Sequence, residues 1–219
     1  QRDKIASQNK DIRDSIQYAN TIQSAALPPE ELFRELLPDH FILFKPRDIV
    51  SGDFYWITRI KGKVVLVAAD CTGHGVSGAL MHMMGIVFLN EIVKKKEIKE
   101  PAEIMGQLRN YVMSSLHQTG KFGEAQDGMD LTLCIIDFDT YKLKFVGANN
   151  PLYIINNSEF KEIKGDRMPV GININYDKPF TTHEVELQKG DSLYMFTDGY
   201  ADQFGGVKGK KFRYKYFKE

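Results

Sequence analysis

The period of the hydrophobic positions changes along the chain, and the changes divide it. Over residues 1–27, Ile5, Ile12, Ala19 and Ala26 recur every seven positions, and Ile16 and Ile22 add a second row between them. That spacing predicts a helix with a coiled-coil-like seam, stopped by Pro28 and Pro29. Two readings stay open for it: packing on its own domain, or pairing with a second copy as a linker that carries a signal. From Phe41 the pattern turns to short β-rich runs. Residues 40–44 form one, and residues 53–60 and 63–69 flank Lys61-Gly62 as a hairpin. Residues 76–94 then place Leu80, Met83, Met84, Val87, Phe88 and Ile92 at three-to-four spacing, which predicts a helix. Pro101 opens a second helix, reaching residue 116, with Ile104, Leu108, Val112 and Leu116 on one face.

Strand signals resume after a polar loop at residues 119–128. Residues 131–137 and 142–148 flank one turn, residues 152–155 and 160–163 flank Asn156-Asn157-Ser158-Glu159, and residues 185–187 and 192–197 complete the set. Strands therefore come mostly as hairpins with two helices inserted as a block. This is the α+β pattern of antiparallel sheets with segregated helices, not βαβ alternation.

Composition and charge narrow the function classes. The 219 residues carry 29 Lys+Arg against 29 Asp+Glu, so the net charge is zero. A nucleic-acid or membrane-surface protein normally carries a basic excess. The basic bias is confined to Lys208, Lys210, Lys211, Arg213, Lys215 and Lys218, which read as a solvated chain end. Cys71 and Cys134 have no CxxC spacing, which argues against a disulfide scaffold or zinc knuckle and suits a reducing, cytoplasmic location. No apolar run approaches the ~18 residues of a membrane span. A chain beginning at Gln1 is expected to be a piece of a longer protein, the cytoplasmic part of a larger sensor among the possibilities.

Three carboxylates occupy strand ends with glycine close by. Asp53 follows Ser51-Gly52 and opens a predicted strand, Asp70 closes the apolar run of residues 64–69, and Asp198 closes residues 192–197 ahead of Gly199. A carboxylate held there is rigid and partly desolvated, an arrangement that suits hard divalent cations such as Mg²⁺ and Mn²⁺. Each alone also reads as an ordinary Asp-Gly turn. His74, in Gly73-His74-Gly75, is either a turn residue or a proton donor. Asp130, opening residues 131–137, reads more simply as a plain strand-start carboxylate than as a support of the site. Met168-Pro169-Val170-Gly171 reads as a turn packed near it, Met81, Met83 and Met84 as core filler, and His40, His82, His117 and His183 receive no role.

Five motifs occur in order: Ser51-Gly52-Asp53-Phe54-Tyr55, Ala69-Asp70-Cys71-Thr72-Gly73-His74-Gly75-Val76, Gly147-Ala148-Asn149-Asn150-Pro151, Met168-Pro169-Val170-Gly171 and Phe196-Thr197-Asp198-Gly199. Together they resemble the bacterial PPM-type serine/threonine phosphatases of the stage II sporulation protein E class, over residues 41–205. The resemblance implies two antiparallel sheets packed as a β-sandwich flanked by helices, with two metal ions, Mn²⁺ or Mg²⁺, at one end. Asp70 would bridge both ions, the Cys71 backbone carbonyl would bind one, Asp198 would be a ligand, and Asp53 would be a ligand or hold water at the metal. It implies hydrolysis of phosphoserine or phosphothreonine on a protein partner, an anti-sigma-factor antagonist-like protein among the candidates. It also implies residues 1–27 as a regulatory linker helix and homodimer contact, ahead of a catalytic domain over residues 28–219. The helical block of residues 76–118 is expected to couple to the site, because Asp70 and Gly75 lie at its entrance. The class has a further carboxylate in an Asp-Asp pair after a C-terminal helix. Residues 210–219 resemble the start of that helix, so a helix and a strand are expected to be missing from this chain. The rival reading is a catalytically silent module of the same fold that docks a signalling partner; a metal-dependent nuclease is disfavoured by the neutral charge.

Overall fold

In the computed structural model, residues 1–94, 100–157, 159–207 and 209–218 are described. Ser158 of the expected hairpin turn and Lys208 of the basic tail lie outside these residues. In chain order the elements are α1 (Arg2–Ala26), α2 (Glu30–Leu36), β1 (Phe54–Ile60), β2 (Lys63–Cys71), α3 (Val76–Lys94), α4 (Pro101–Ser115), β3 (Met129–Asp137), β4 (Lys142–Ala148), β5 (Leu152–Asn156), β6 (Glu159–Ile163), β7 (His183–Glu186), β8 (Ser192–Tyr194), β9 (Phe204–Gly205), β10 (Lys210–Lys211) and α5 (Arg213–Phe217). A five-stranded antiparallel sheet runs β1-β2-β3-β4-β7, and a three-stranded one runs β6-β5-β8.

Strand parity builds two cores from the larger sheet. Val65, Val67, Ala69 and Cys71 of β2, with Leu131, Leu133 and Ile135 of β3, pack beneath α3 and α4 through Ile86, Leu89, Ile104 and Leu108. The alternate residues Cys134, Ile136, Leu143 and Phe145 face the second sheet and pack on Leu152, Ile154 and Leu193. The sheet is buried on both sides, which explains why β3 reads as a continuous apolar run. The expected β-sandwich is therefore present, with α3 and α4 covering the outer face of the larger sheet. α5 covers the smaller sheet, where Phe217 meets Tyr153.

Several elements differ from expectation. Residues 40–44 form no strand: Phe41 contacts Tyr194 and Phe44 contacts Tyr55, so the run lies along both sheets by its rings while its backbone joins neither ladder. β8 stops at Tyr194, short of the predicted residue 197. α2 was not signalled by a long period; its seven residues are held by Phe33 and Leu36 packing on Ile57 and Val64. In α3 the buried face is Met81, His82, Gly85, Ile86, Leu89 and Ile92, whereas Leu80 and Val87 of the predicted stripe are exposed. Gly85 sets this rotation, since a Cβ there would come within 2.8 Å of the Phe54 ring. α3 is long and apolar enough to cross a membrane by composition, yet its buried face belongs to the core.

Candidate active site

The register of the larger sheet aligns the predicted carboxylates. Phe54 pairs with Ala69, Asp70 with Asp130, and Leu131 with Ala148. Extending each register by one residue brings Asp53 opposite Asp70 and Asn149 opposite Asp130. By parity Asp70 and Asp130 point away from α3 and α4, because Ala69 and Leu131 face the helices, and Asp53 and Asn149 continue the row one residue beyond β1 and β4. The result is a row, Asp53–Asp70–Asp130–Asn149, across one end of the sandwich. Asn149, with φ of 58°, donates from Nδ2 to Asp130 Oδ1 at 2.8 Å. Asp198 approaches after β8, and its neighbour Thr197 donates from Oγ1 to Asp53 Oδ2 at 2.7 Å, tying the two sheets together.

The row is electrostatically unbalanced. The Asp70 carboxyl is pushed up to about 8 by burial first, then by the charges of Asp53 and Asp198, with both of which it also shares hydrogen bonds. Burial likewise raises Asp130, and the Asn149 hydrogen bond works against that rise. Asp198 is raised by burial and then by Asp202. Among the described residues no Lys or Arg forms an ion pair with Asp53, Asp70, Asp130 or Asp198; Lys211 pairs with Asp202 instead, at 2.6 Å. Like charges directly opposite on neighbouring strands repel. A hard divalent cation with oxygen ligands would remove that repulsion, so the donor set fits one. The side chains are not closed into a coordination sphere: among the described residues, no group of three His, Cys, Asp or Glu stands in ready metal-ligating geometry.

Glycines fix the backbone around the row. A Cβ on Gly52 would lie 3.1 Å from the Gly73 oxygen and 3.2 Å from the Cys71 oxygen, and one on Gly78 would lie 2.7 Å from the Gly73 oxygen. This contact holds the Cys71 carbonyl beside the Ser51-Gly52-Asp53 segment. The Cys71 thiol is buried and raised well above its ordinary value, by burial first and then by Asp70 and Asp53, so the carbonyl is the part of Cys71 available as a ligand.

The structure thus brings Asp53, Asp70, Asp198 and the Cys71 backbone to one place. His74 stands apart at the rim, 70% exposed, with Nδ1 3.3 Å from Asp48 Oδ2. Met168 and Val170 are buried, and Val170 exchanges two backbone hydrogen bonds with Met129 at the start of β3, as expected of a packing turn. His82 lies buried against Phe54 beneath the Ser51 and Asp53 main chain, and burial lowers it to about 4. Asp130 is the residue that sequence reasoning undervalued. Its alignment with Asp70 depends on a register that two helices and a loop separate in sequence, so no turn signal could have set it.

The chain resembles known proteins in both sequence and fold. Phosphoserine phosphatase RsbU of Bacillus subtilis (strain 168) is 24% identical over 196 residues, covering 87% of this chain and 54% of that protein. The chain thus spans about half the length of this curated relative. The solved SiaA-PP2C domain of Pseudomonas aeruginosa is 36% identical, with a TM-score of 0.85, over 97% of this chain and 82% of that one. The PP2C phosphatase domain of SpoIIE from Bacillus subtilis shares the fold, with a TM-score of 0.58 at 21% identity, over 70% of this chain and 43% of that one. Residues 60–216 match the family model described as Stage II sporulation protein E (SpoIIE), and with the PP2C fold of its neighbours this places the chain in the SpoIIE family of PP2C-type phosphatase domains.

Proposed function

We propose that this chain is a metal-dependent protein phosphatase domain that hydrolyses phosphoserine or phosphothreonine on a protein partner in bacterial signalling. The observation that carries this reading is the carboxylate row, faced by Asp198 and unpaired with any described basic side chain. Two Mn²⁺ or Mg²⁺ ions, when bound, would supply an activated water and offset charge on the phosphoryl oxygens. Asp70, inside the row, would be the principal ligand. Asp53 beside it and Asp198 facing it would complete the carboxylate ligands, and the Cys71 carbonyl would add a neutral oxygen. Thr197 orients Asp53, and Asn149 orients Asp130. His74 has Asp48 beside its ring and is the candidate to protonate the leaving serine or threonine oxygen. Buried thiols at Cys71 and Cys134 speak against a cysteine nucleophile and suit a cytoplasmic, reducing setting.

Residues 1–27 serve as a regulatory helix and residues 28–219 as the phosphatase domain. Exposed Ile5, Ile12 and Ile22 on α1 support pairing with a second copy along the predicted seam. The substrate is a phosphorylated protein, an anti-sigma-factor antagonist-like protein among the candidates. The full chain with Mn²⁺ and a phosphoserine peptide tests the reading. Turnover should be lost with a chelator and should fall about a hundredfold or more with Asp70→Asn. The open arrangement of the carboxylates favours one rival, a silent module that docks a partner. Metal binding without turnover, unaffected by Asp70→Asn, would select that rival.

A further inference from the structure

We propose that the basic segment following Asp198 forms a docking pocket for the phosphorylated protein, in which Lys210 and Arg213 hold acidic side chains that flank the phosphoserine or phosphothreonine. This rests on the phosphatase reading above and names the charge of the substrate segment.

By sequence these cations read as a solvated chain end, but the fold gives them separate surroundings. Lys211 pairs with Asp202 at 2.6 Å and Lys218 with Glu162 at 2.9 Å, so these two are neutralised. Lys210 and Arg213 are exposed and form no ion pair among the described residues. With Lys211, Phe212 and Tyr216 they line a cavity of about 330 Å³, and the Phe212 and Tyr216 rings lie 6.0 Å apart in its lining.

The main chain beneath the cavity is held in place. Lys210 and Lys211 of β10 pair with Gly205 and Phe204 of β9. The Phe212 N–H donates to the Gln203 carbonyl at 2.8 Å, the Arg213 N–H donates to the Ala201 carbonyl at 2.6 Å, and the Phe212 ring meets Tyr200 at 5.6 Å. Arg213 is thereby fixed at φ of 71°, a left-handed conformation that favours glycine. An arginine at a strained position that glycine would occupy freely points to use of its side chain. The same bonds tie the pocket to the carboxylate row. They end on the turn after Asp198, where the Asp202 N–H donates to the Asp198 carbonyl at 2.9 Å. Tyr214, the next residue after Arg213, has its phenol pushed up to about 12 by burial first and then by Asp198 and Asp202. Charge selects the ligand. The row is acidic and would repel an anionic segment, whereas the pocket presents two unneutralised cations, one of them a guanidinium suited to carboxylates. Acidic residues a few positions from a phosphoserine seated at the row are the ones that it would take.

Fluorescence anisotropy on the full chain with Mn²⁺ compares two labelled phosphoserine peptides that differ in carrying Glu or Gln at the flanking positions, with hydrolysis of both followed in parallel. The Glu peptide is expected to bind about tenfold tighter at about 50 mM salt, and the preference should shrink to about twofold at about 500 mM. Lys210→Gln combined with Arg213→Gly should remove the preference. Glycine suits φ of 71°, so Arg213→Gly alone should melt no lower than the unaltered chain while its preference falls. Equal binding of the two peptides by the unaltered chain, or a preference that survives both substitutions, would overturn the proposal. Equally tight binding of a single-stranded oligonucleotide would also overturn it, since the pocket would then read charge alone. Preferential binding of the Glu peptide with hydrolysis of neither would keep the pocket and sink the phosphatase reading in favour of the silent docking module.

Discussion

Neutralising the centre of the carboxylate row should make the metal-free protein more stable. Asp70 sits at about 8 rather than 3.8, through burial and then the charges of Asp53 and Asp198. Between those values the folded chain binds more protons than the unfolded one, so this group's contribution to stability falls as pH rises through the window. A rise of about four pH units would correspond to about 6 kcal/mol at ~1.36 kcal/mol per unit. Asp70 is only half-buried, and solvent screening reduces the usable figure to about 2–3 kcal/mol. Asp70→Asn removes the charge at nearly constant volume. In chelator at pH 8.5 the variant should unfold about 4–10 °C above the unaltered chain, and the difference should vanish near pH 4, where Asp70 is protonated in the folded state. Mn²⁺ should close most of that gap. At a hundredfold excess over its dissociation constant it would add about 2.7 kcal/mol to the unaltered chain and less to the variant. Thermal unfolding by circular dichroism at three pH values, with and without Mn²⁺, reads all of this. A variant no more stable than the unaltered chain at pH 8.5 in chelator would refute the view that the row is repulsive without a cation.

Three further substitutions probe the supports of the site. Gly78→Ala would place a Cβ 2.7 Å from the Gly73 oxygen and 3.0 Å from Gly52 Cα. Both are backbone, so a loss of about 1–3 kcal/mol is expected in urea unfolding, with activity falling further than stability alone explains; full stability would show that the contact is slack. Thr197→Val removes the donor to Asp53 and should raise the Mn²⁺ concentration for half-maximal activity about threefold to tenfold, while the melting temperature barely moves. An unchanged metal requirement would release Asp53 from its proposed role. Arg109→Met would strip the donor from the Lys178 carbonyl, which Arg109 reaches at 2.6 Å, and the cation from the Phe180 face at 4.2 Å. A cost of about 2–4 kcal/mol should appear in the urea midpoint, and a cost near zero would mean that residues 166–181 hold themselves in place.

What the chain disclosed of itself depended on how local the cause was. The hairpin of β1 and β2 lay between two β-rich runs with Gly62 at φ 84° in the turn, and α4 began at Pro101; both are settled by neighbours in sequence. The carboxylates Asp53, Asp70 and Asp198 were legible because each sits at the edge of an apolar run, Asp53 and Asp198 directly beside glycine. Elsewhere tertiary packing decided. Residues 40–44 had strand composition and lacked a strand to pair with. The stripe Leu80–Val87 obeyed helical spacing, but Gly85 turned a different face of α3 onto Phe54. Asp130 joined the row through a register set between residues 60 positions apart, as the pair Asp70–Asp130 shows. Gln23 gave no signal of its two hydrogen bonds to the Ser51 main chain, since a glutamine near the end of a polar helix ordinarily faces water.

The carboxylates of the row also differ in how firmly the fold holds them. Asp70 and Asp130 belong to β2 and β3, the inner strands of the five-stranded sheet, and pair with each other, so that moving either would disturb a ladder flanked by two cores. Asp53 lies one residue outside its strand, and the segment leading to it depends on α1 through Gln23 and on the start of α3 through Gly78. Two helices from distant parts of the chain thus converge on Ser51-Gly52, which has no ladder bonds to resist them. Local opening is cheapest where backbone bonds are few and partners are replaceable. A displacement of either helix would therefore shift Asp53 against a fixed Asp70.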